Sequence, residues 1–159
     1  MNKIVLSAAT LILLQVANAV ADTAATAGGP YFQSGERQLD LYGTSTDKGH
    51  LGIGVGANYF FNSWWGAGLE TRVEKFDWPN QISANLFARY PVEKWRLAPY
   101  AYGGCGRQFH DTSQWLFHIG GGVDYRLNGT TGLFVDVRET FPETSKDYTL
   151  WRFGVRLRF

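Results

Sequence analysis

Residues 147–159 read DYTLWRFGVRLRF, and their parity decides the fold. One alternating set holds Thr149, Trp151, Phe153, Val155, Leu157 and Phe159; the other holds Leu150, Arg152, Gly154, Arg156 and Arg158. Successive side chains of a strand point to opposite faces. This stretch is therefore a strand with one apolar, aromatic face and one small or cationic face. In a soluble sandwich the apolar face packs into a core and the arginines meet water. In a transmembrane barrel the apolar face meets lipid and the arginines line the lumen.

Working outward, the same alternation recurs about every dozen residues, separated by turn chemistry. A weak first strand over 36–43 sets Leu39 and Leu41 against Gln38, Asp40 and Tyr42. Over 50–61, Leu51, Ile53, Val55, Ala57 and Tyr59 oppose Gly52, Gly54, Gly56 and Asn58. The next strand, ending near residue 75, sets Trp65, Leu69 and Val73 against Glu70, Arg72 and Glu74. Over 80–91, Ile82, Leu86 and Tyr90 oppose Ser83, Asn85 and Arg89. The fifth strand, 97–109, reads either way, with Tyr100, Tyr102, Gly104 and Gly106 on one face and Pro99, Ala101, Gly103, Cys105 and Arg107 on the other; glycines elsewhere fall on the polar face, which favours the first set inward. Over 114–127, Trp115, Phe117, Ile119 and Val123 oppose His118, Asp124 and Arg126. Over 132–141, Leu133, Val135 and Val137 oppose Asp136 and Arg138. With the closing stretch this makes eight strands, most long enough to cross a bilayer when tilted. Tight turns near 61–64, 91–96 and 128–131 alternate with polar loops near 44–49, 75–80, 110–113 and 142–146, as in an up-and-down barrel.

The start of the chain belongs to export rather than to the fold. A basic Met1-Asn2-Lys3, a mostly apolar run over 4–16 and small-residue cleavage sites ending at Ala19 and Ala21 read as a signal peptide over 1–21. Residues 22–35, DTAATAGGPYFQSG, read as a linker, leaving 36–159 as the barrel. Removing Lys3 from the 15 basic residues leaves 14, against 14 acidic ones, a balance that argues against nucleic acid or another polyanion as partner. The single Cys105 excludes an internal disulfide framework.

The two candidate architectures differ in what the polar face must do. That face collects Glu70, Arg72, Glu74, Arg89, Asp124, Arg126, Asp136, Arg138, Arg152, Arg156 and Arg158, together with many of the 19 glycines; all but the terminal Arg158 are expected to form the lumen's charge network. On a solvated sheet those glycines only weaken the strands. In an eight-stranded lumen, barely wide enough for side chains, they make room for Arg and Glu, and the mixed signs allow the pairing that buried charges require. Aromatics gather near both ends of the strands, as rings do at membrane–water interfaces: Tyr59, Phe61, Trp64, Trp65, Tyr90, Trp95 and Tyr125 at one end, Phe76, Trp78, Phe109, Trp115, Phe141 and Tyr148 at the other. The expected fold is an all-β, eight-stranded antiparallel transmembrane barrel.

At this point the chain resembles the small outer-membrane β-barrel proteins of Gram-negative bacteria, the OmpA-like and OmpX-like eight-stranded barrels. The resemblance covers residues 36–159, including the strand–turn–strand GIGVGANYFFNSWWGAGLETR. Its most specific element is the closing strand, where Arg152, Gly154, Leu157 and Phe159 fill the family's assembly signal. The resemblance implies an outer-membrane location, a structural or porin-like role, membrane lipids as surroundings, and the barrel-assembly machinery as a partner in biogenesis. Lys48, Lys75, Lys146 and Arg107 near the loop-end rim suit either lipopolysaccharide phosphates or ordinary loop solubility.

Enzymes share this architecture, so activity has to be read from a site. Lipid A deacylases, which resemble such barrels, carry a His-x-Ser pair; here His50 precedes Leu51-Gly52 and His118 precedes Ile119-Gly120. His110, Asp111 and Ser113 lie close together with a different spacing. Metal-ligand spacing is absent, and no cofactor is implied. The expected protein is a barrel without catalytic activity, and the alternative is a lipid A-modifying enzyme.

Overall fold

A computed structural model of the chain describes residues 30–74, 79–109 and 113–159. The expected signal peptide, residues 22–29 of the expected linker, and Lys75, Phe76, Trp78, His110 and Asp111 lie outside the described residues.

Eight strands follow one another: β1 Glu36–Thr46, β2 Leu51–Phe60, β3 Trp65–Glu74, β4 Pro79–Arg89, β5 Leu97–Gln108, β6 Gln114–Arg126, β7 Thr131–Pro142 and β8 Tyr148–Arg158. Each pairs antiparallel with the next, and β8 pairs with β1 to close the barrel. Closure removes both sheet edges and satisfies the ladder groups that lipid cannot hydrogen-bond.

The connections form a turn end and a loop end. At the turn end the Asn62 carboxamide oxygen accepts the Trp64 and Trp65 N–H groups, each at 2.8 Å. Asn128 does the same for Thr130 and Thr131, at 2.9 and 2.7 Å. Both are side-chain-closed turns, the usual use of Asn between strands. A short 3-10 turn, Glu93–Trp95, links β4 to β5 and is terminated by Arg96 in the left-handed conformation at φ 55°.

The register fixes the barrel's dimensions. One row of cross-strand partners starts at Thr131 on β7 and runs through Leu157, Leu39, Ala57 and Leu69. It continues through Ala84, Cys105 and Phe117 and re-enters β7 at Phe141, ten residues from where it began. With a rise of about 3.3 Å per residue and strands about 4.8 Å apart, that stagger tilts the strands by about 40° and sets a backbone radius of roughly 8 Å. Arginine side chains reaching in from opposite walls of so narrow a cylinder meet near its axis.

The strand faces divide as their parity requires. Leu69, Leu86 and Phe117 are 64%, 67% and 65% exposed on the outer wall. Ile53, Ile82, Ile119, Val135, Trp151 and Phe153 are exposed beside them. A continuous apolar exterior of this kind is foreign to soluble monomers and is the surface a bilayer covers. On β5, Tyr100 and Tyr102 turn inward while Pro99, Ala101, Cys105 and Arg107 face out, which resolves the strand that sequence left open.

The seven aromatics expected at the turn end are exposed there, and Phe109, Trp115 and Phe141 are exposed at the loop end. Tyr148 departs from that band: it is buried, and its hydroxyl accepts from Arg72 Nη2 at 3.1 Å. Tyr148 shares the parity of Leu150 and Arg152 on β8, so its side chain belongs to the lumen.

Candidate functional site: the charged lumen

Residue types decide what the lumen contains. Arginine or glutamate on the lipid face of a barrel is costly, so β-parity sends these side chains inward. Once inside, low local polarity makes pairing obligatory. Among the described residues the buried arginines are Arg72, Arg89, Arg126, Arg138, Arg152 and Arg156; the buried carboxylates are Glu36, Asp40, Glu70, Asp124 and Asp136. Glu74, half-buried at the loop-end mouth, lies 3.0 Å from Arg72 and 3.7 Å from His50.

These groups form three linked tiers. Nearest the turn end, Glu36 accepts from Arg89 at 2.7 Å and from Arg126 at 2.5 Å, and Arg126 also reaches Asp124 at 3.1 Å. Above it, Arg156 grips both oxygens of Asp40 at 2.7 Å and extends to Asp124 at 3.0 Å. The third tier joins Arg152 to Asp136 through two bonds of 2.7 and 2.9 Å. Tyr100 and Tyr102 donate their hydroxyls to the same carboxylate at 2.5 and 3.0 Å. Glu70 completes this tier by accepting from both Arg138 and Arg152. Paired N–H···O bonds of this kind are the strong form of the arginine–carboxylate contact.

Aromatic rings fill the spaces between tiers. The Arg89 guanidinium sits 3.6 Å from the Phe60 ring centroid, Arg156 lies 4.7 Å from that of Phe134, and Arg152 lies 4.9 Å from that of Tyr102. Guanidinium groups over ring faces are favourable where water is excluded. Gly120 makes room for one of these rings: a Cβ there would stand 2.9 Å from Tyr102 Cζ and 2.7 Å from Arg138 Cβ.

The turn end has a stopper. Residues 30–35, the end of the expected linker, fold across the barrel mouth. Phe32 is buried between Arg89 and Arg126, 5.2 and 5.1 Å from its ring centroid. Glu93 accepts the Tyr31 and Phe32 N–H groups at 2.8 and 3.0 Å, and Ser34 donates to the Phe61 carbonyl at 2.8 Å. Gly35, at φ 74°, supplies the left-handed turn from which the chain enters β1.

All ten sequence-derived lumen residues, Glu70, Arg72, Glu74, Arg89, Asp124, Arg126, Asp136, Arg138, Arg152 and Arg156, have the inward parity of these tiers. Glu36 and Asp40 also belong to the tiers; the parity of 36–43 sets Asp40 on the polar face, and a charge count signals that acids are missing without naming Glu36. The ten network residues comprise six arginines but only four acids, and Glu36 and Asp40 share parity on β1. Of the closing-strand motif, Arg152 enters the third tier. Gly154 lies against Tyr42, whose Cβ would be 2.7 Å from a Cβ at that position. Leu157 is half-buried, and the Phe159 N–H donates to the Arg37 carbonyl at 3.1 Å.

His118 places Nε2 2.5 Å from Asn85 Oδ1, and Ser113 Oγ accepts from Arg107 Nε at 2.6 Å. Among the described residues no three His, Cys, Asp or Glu side chains gather as a metal site.

An eight-stranded closed barrel with an apolar exterior and a charged interior defines a class, the transmembrane β-barrel. The chain belongs to the outer membrane protein beta-barrel domain family, whose model matches residues 4–159, and it is an outer-membrane protein. The N-terminal β-barrel domain of Pseudomonas aeruginosa OprF is similar, at a TM-score of 0.69 and 15% identity over 80% of this chain and 99% of that one. A de novo designed transmembrane β-barrel gives 0.65 at 14% identity, covering 80% and 98%. Ail from Yersinia pestis gives 0.55 at 14% identity, covering 79% and 100%. At these identities the likeness is one of fold. No curated protein matches at the level of sequence.

Proposed function

We propose that this chain is a structural outer-membrane barrel, closed to diffusing solutes and without catalytic activity, with its turn end in the periplasm. The observation that carries the reading is the lumen itself. Three tiers of ion pairs cross a cylinder of roughly 8 Å backbone radius, rings occupy the gaps, and Phe32 seals one mouth. The barrel-assembly machinery reads β8 through Arg152, Gly154, Leu157 and Phe159. Lipopolysaccharide phosphates meet Lys48, Lys146 and Arg107 at the loop end, where Arg107 also lies 5.8 Å from the centroids of Phe109 and Trp115.

Planar-bilayer recording of the purified wild-type protein tests closure. The expected trace shows no sustained open level; a steady ohmic conductance from single insertions would refute the closed lumen. For the alternative, a lipid A-modifying enzyme, mass spectrometry of lipid A from cells with and without His110→Ala/Ser113→Ala decides. The closed structural barrel predicts identical lipid A.

A further inference from the structure

The lipid-facing wall is not uniform. Across β2 to β5 small side chains stand at several outward positions, and four of them, Ala57, Ala67, Ala84 and Gly103, are neighbours along one diagonal. Together they floor a groove of about 990 Å³. Leu69 and Leu86, both strongly exposed, stand beside the floor. At its foot, toward the turn end, lie Arg37 and Tyr59, which are direct cross-strand partners.

The groove follows the stagger of the sheet. From Arg37 it climbs between two rows of cross-strand partners, Arg37, Tyr59, Ala67, Leu86 and Gly103 below and Leu39, Ala57, Leu69, Ala84 and Cys105 two residues above. With the rise, spacing and tilt given above, the climb from Arg37 is roughly 12 Å at Gly103 and roughly 17 Å at Cys105 along the membrane normal. One leaflet contributes about 15 Å of a hydrocarbon core about 30 Å thick. The groove therefore has the length of one acyl chain and a cation at its interfacial end.

The charge at that end is uncommitted. Arg158 donates to the Pro30 and Tyr31 carbonyls, and Arg96 stacks on Tyr31. The nearby Glu93 carboxylate is taken up by the Tyr31 and Phe32 N–H groups. Arg37 is exposed, points outward with the lipid-facing set and has no side-chain partner among the described residues. A guanidinium at the membrane interface favours a phosphate, which it binds through two parallel N–H···O bonds.

We infer that this groove is a specific site for one glycerophospholipid of the leaflet at the turn end, with its phosphate on Arg37 and an acyl chain along Ala57, Ala67, Ala84 and Gly103. Small side chains let a chain lie close to the backbone and gain dispersion contacts along its length. That distinguishes the lipid from annular lipids lying over Leu, Ile and Phe side chains.

The test uses delipidated full-length protein in detergent, titrated with phosphatidylglycerol and read by native mass spectrometry. Wild type is expected to take up one lipid well before any second. Arg37→Gln should weaken that first event about tenfold, the equivalent of about 1.4 kcal/mol. Ala84→Leu/Gly103→Leu should abolish it by filling the groove. A Cβ at Gly103 meets only the His118 carbonyl oxygen, at 3.6 Å, so the wall tolerates the change, and the gel shift on heating confirms that the variant is folded. Val135→Leu, on the outer face of β7, should bind as wild type does. A statistical ladder of lipids in wild type overturns the site, as does an equal loss in Val135→Leu or no change in either groove variant. A dimer peak that the filled groove removes would also overturn it, assigning the surface to a second copy of the chain.

Discussion

Glu70 accepts from Arg138 on β7 and Arg152 on β8, so one β3 carboxylate holds three strands together across the lumen. Removing it leaves two buried guanidinium groups short of a partner, the situation in which breaking a buried pair costs about 3–5 kcal/mol. Glu70→Ala should lower the urea midpoint of the protein in phospholipid vesicles by a corresponding amount. Lys146→Ala, at an exposed loop position, should stay within about 0.5 kcal/mol. A Glu70→Ala midpoint equal to wild type would show that the ion pairs are incidental to stability. The arginines of this network were legible because an arginine opposite Trp, Phe and Val on an alternating strand has only one face to occupy. Glu36 was not legible, because the strand it opens shows only two apolar residues in alternation. Phe32 was invisible for another reason. Its neighbours in GGPYFQSG carry no period, and its burial depends on the geometry of a barrel mouth that no local pattern encodes.

Among the strands, β8 is both the closing wall and the assembly signal. Its partner β1 receives Arg156 on Asp40 directly across the seam, a register pair joined by two hydrogen bonds. The seam ends with the Phe159 N–H on the Arg37 carbonyl. Deleting Phe159 removes that last rung and the terminal aromatic of the motif together. The deletion should cut the folded fraction in outer membranes several-fold, read as the heat-shifted band on gels of membrane fractions, whereas Lys146→Ala should leave it unchanged. Equal folded yields would dismiss the motif. At this scale the sequence was readable wherever glycine and charge fell on one parity and large apolar groups on the other. β5 resisted because its two faces carry Tyr against Pro, Ala and Cys, and a tyrosine suits either a polar lumen or a membrane interface. The decision came from Asp136, which takes both Tyr100 and Tyr102 hydroxyls and lies about thirty-five residues further along the chain.

The whole molecule encloses nearly balanced charge within a lipid-covered wall, and salt can probe that enclosure. Mobile ions screen exposed charges within about 10 Å at 0.1 M and about 3 Å at 1 M, but they act weakly on pairs from which solvent is excluded. If the wall, the packed lumen and the Phe32 stopper together keep ions out, raising NaCl from about 0.1 M to about 1 M should leave the urea midpoint of the wild-type barrel in neutral phospholipid vesicles nearly unchanged. Phe32→Ala exposes the first tier, since that ring lies over Arg89 and Arg126, both bound to Glu36. Its midpoint should fall, and it should fall further at high salt as those pairs become screened. The upper tiers, Arg152 with Asp136 and Glu70, lie deeper, so most of the stability should survive. A wild-type midpoint that drops steeply with salt would mean that ions enter the intact lumen, and the closed reading would fail with it. A Phe32→Ala midpoint that loses stability without gaining salt sensitivity would make the ring a packing residue rather than a seal.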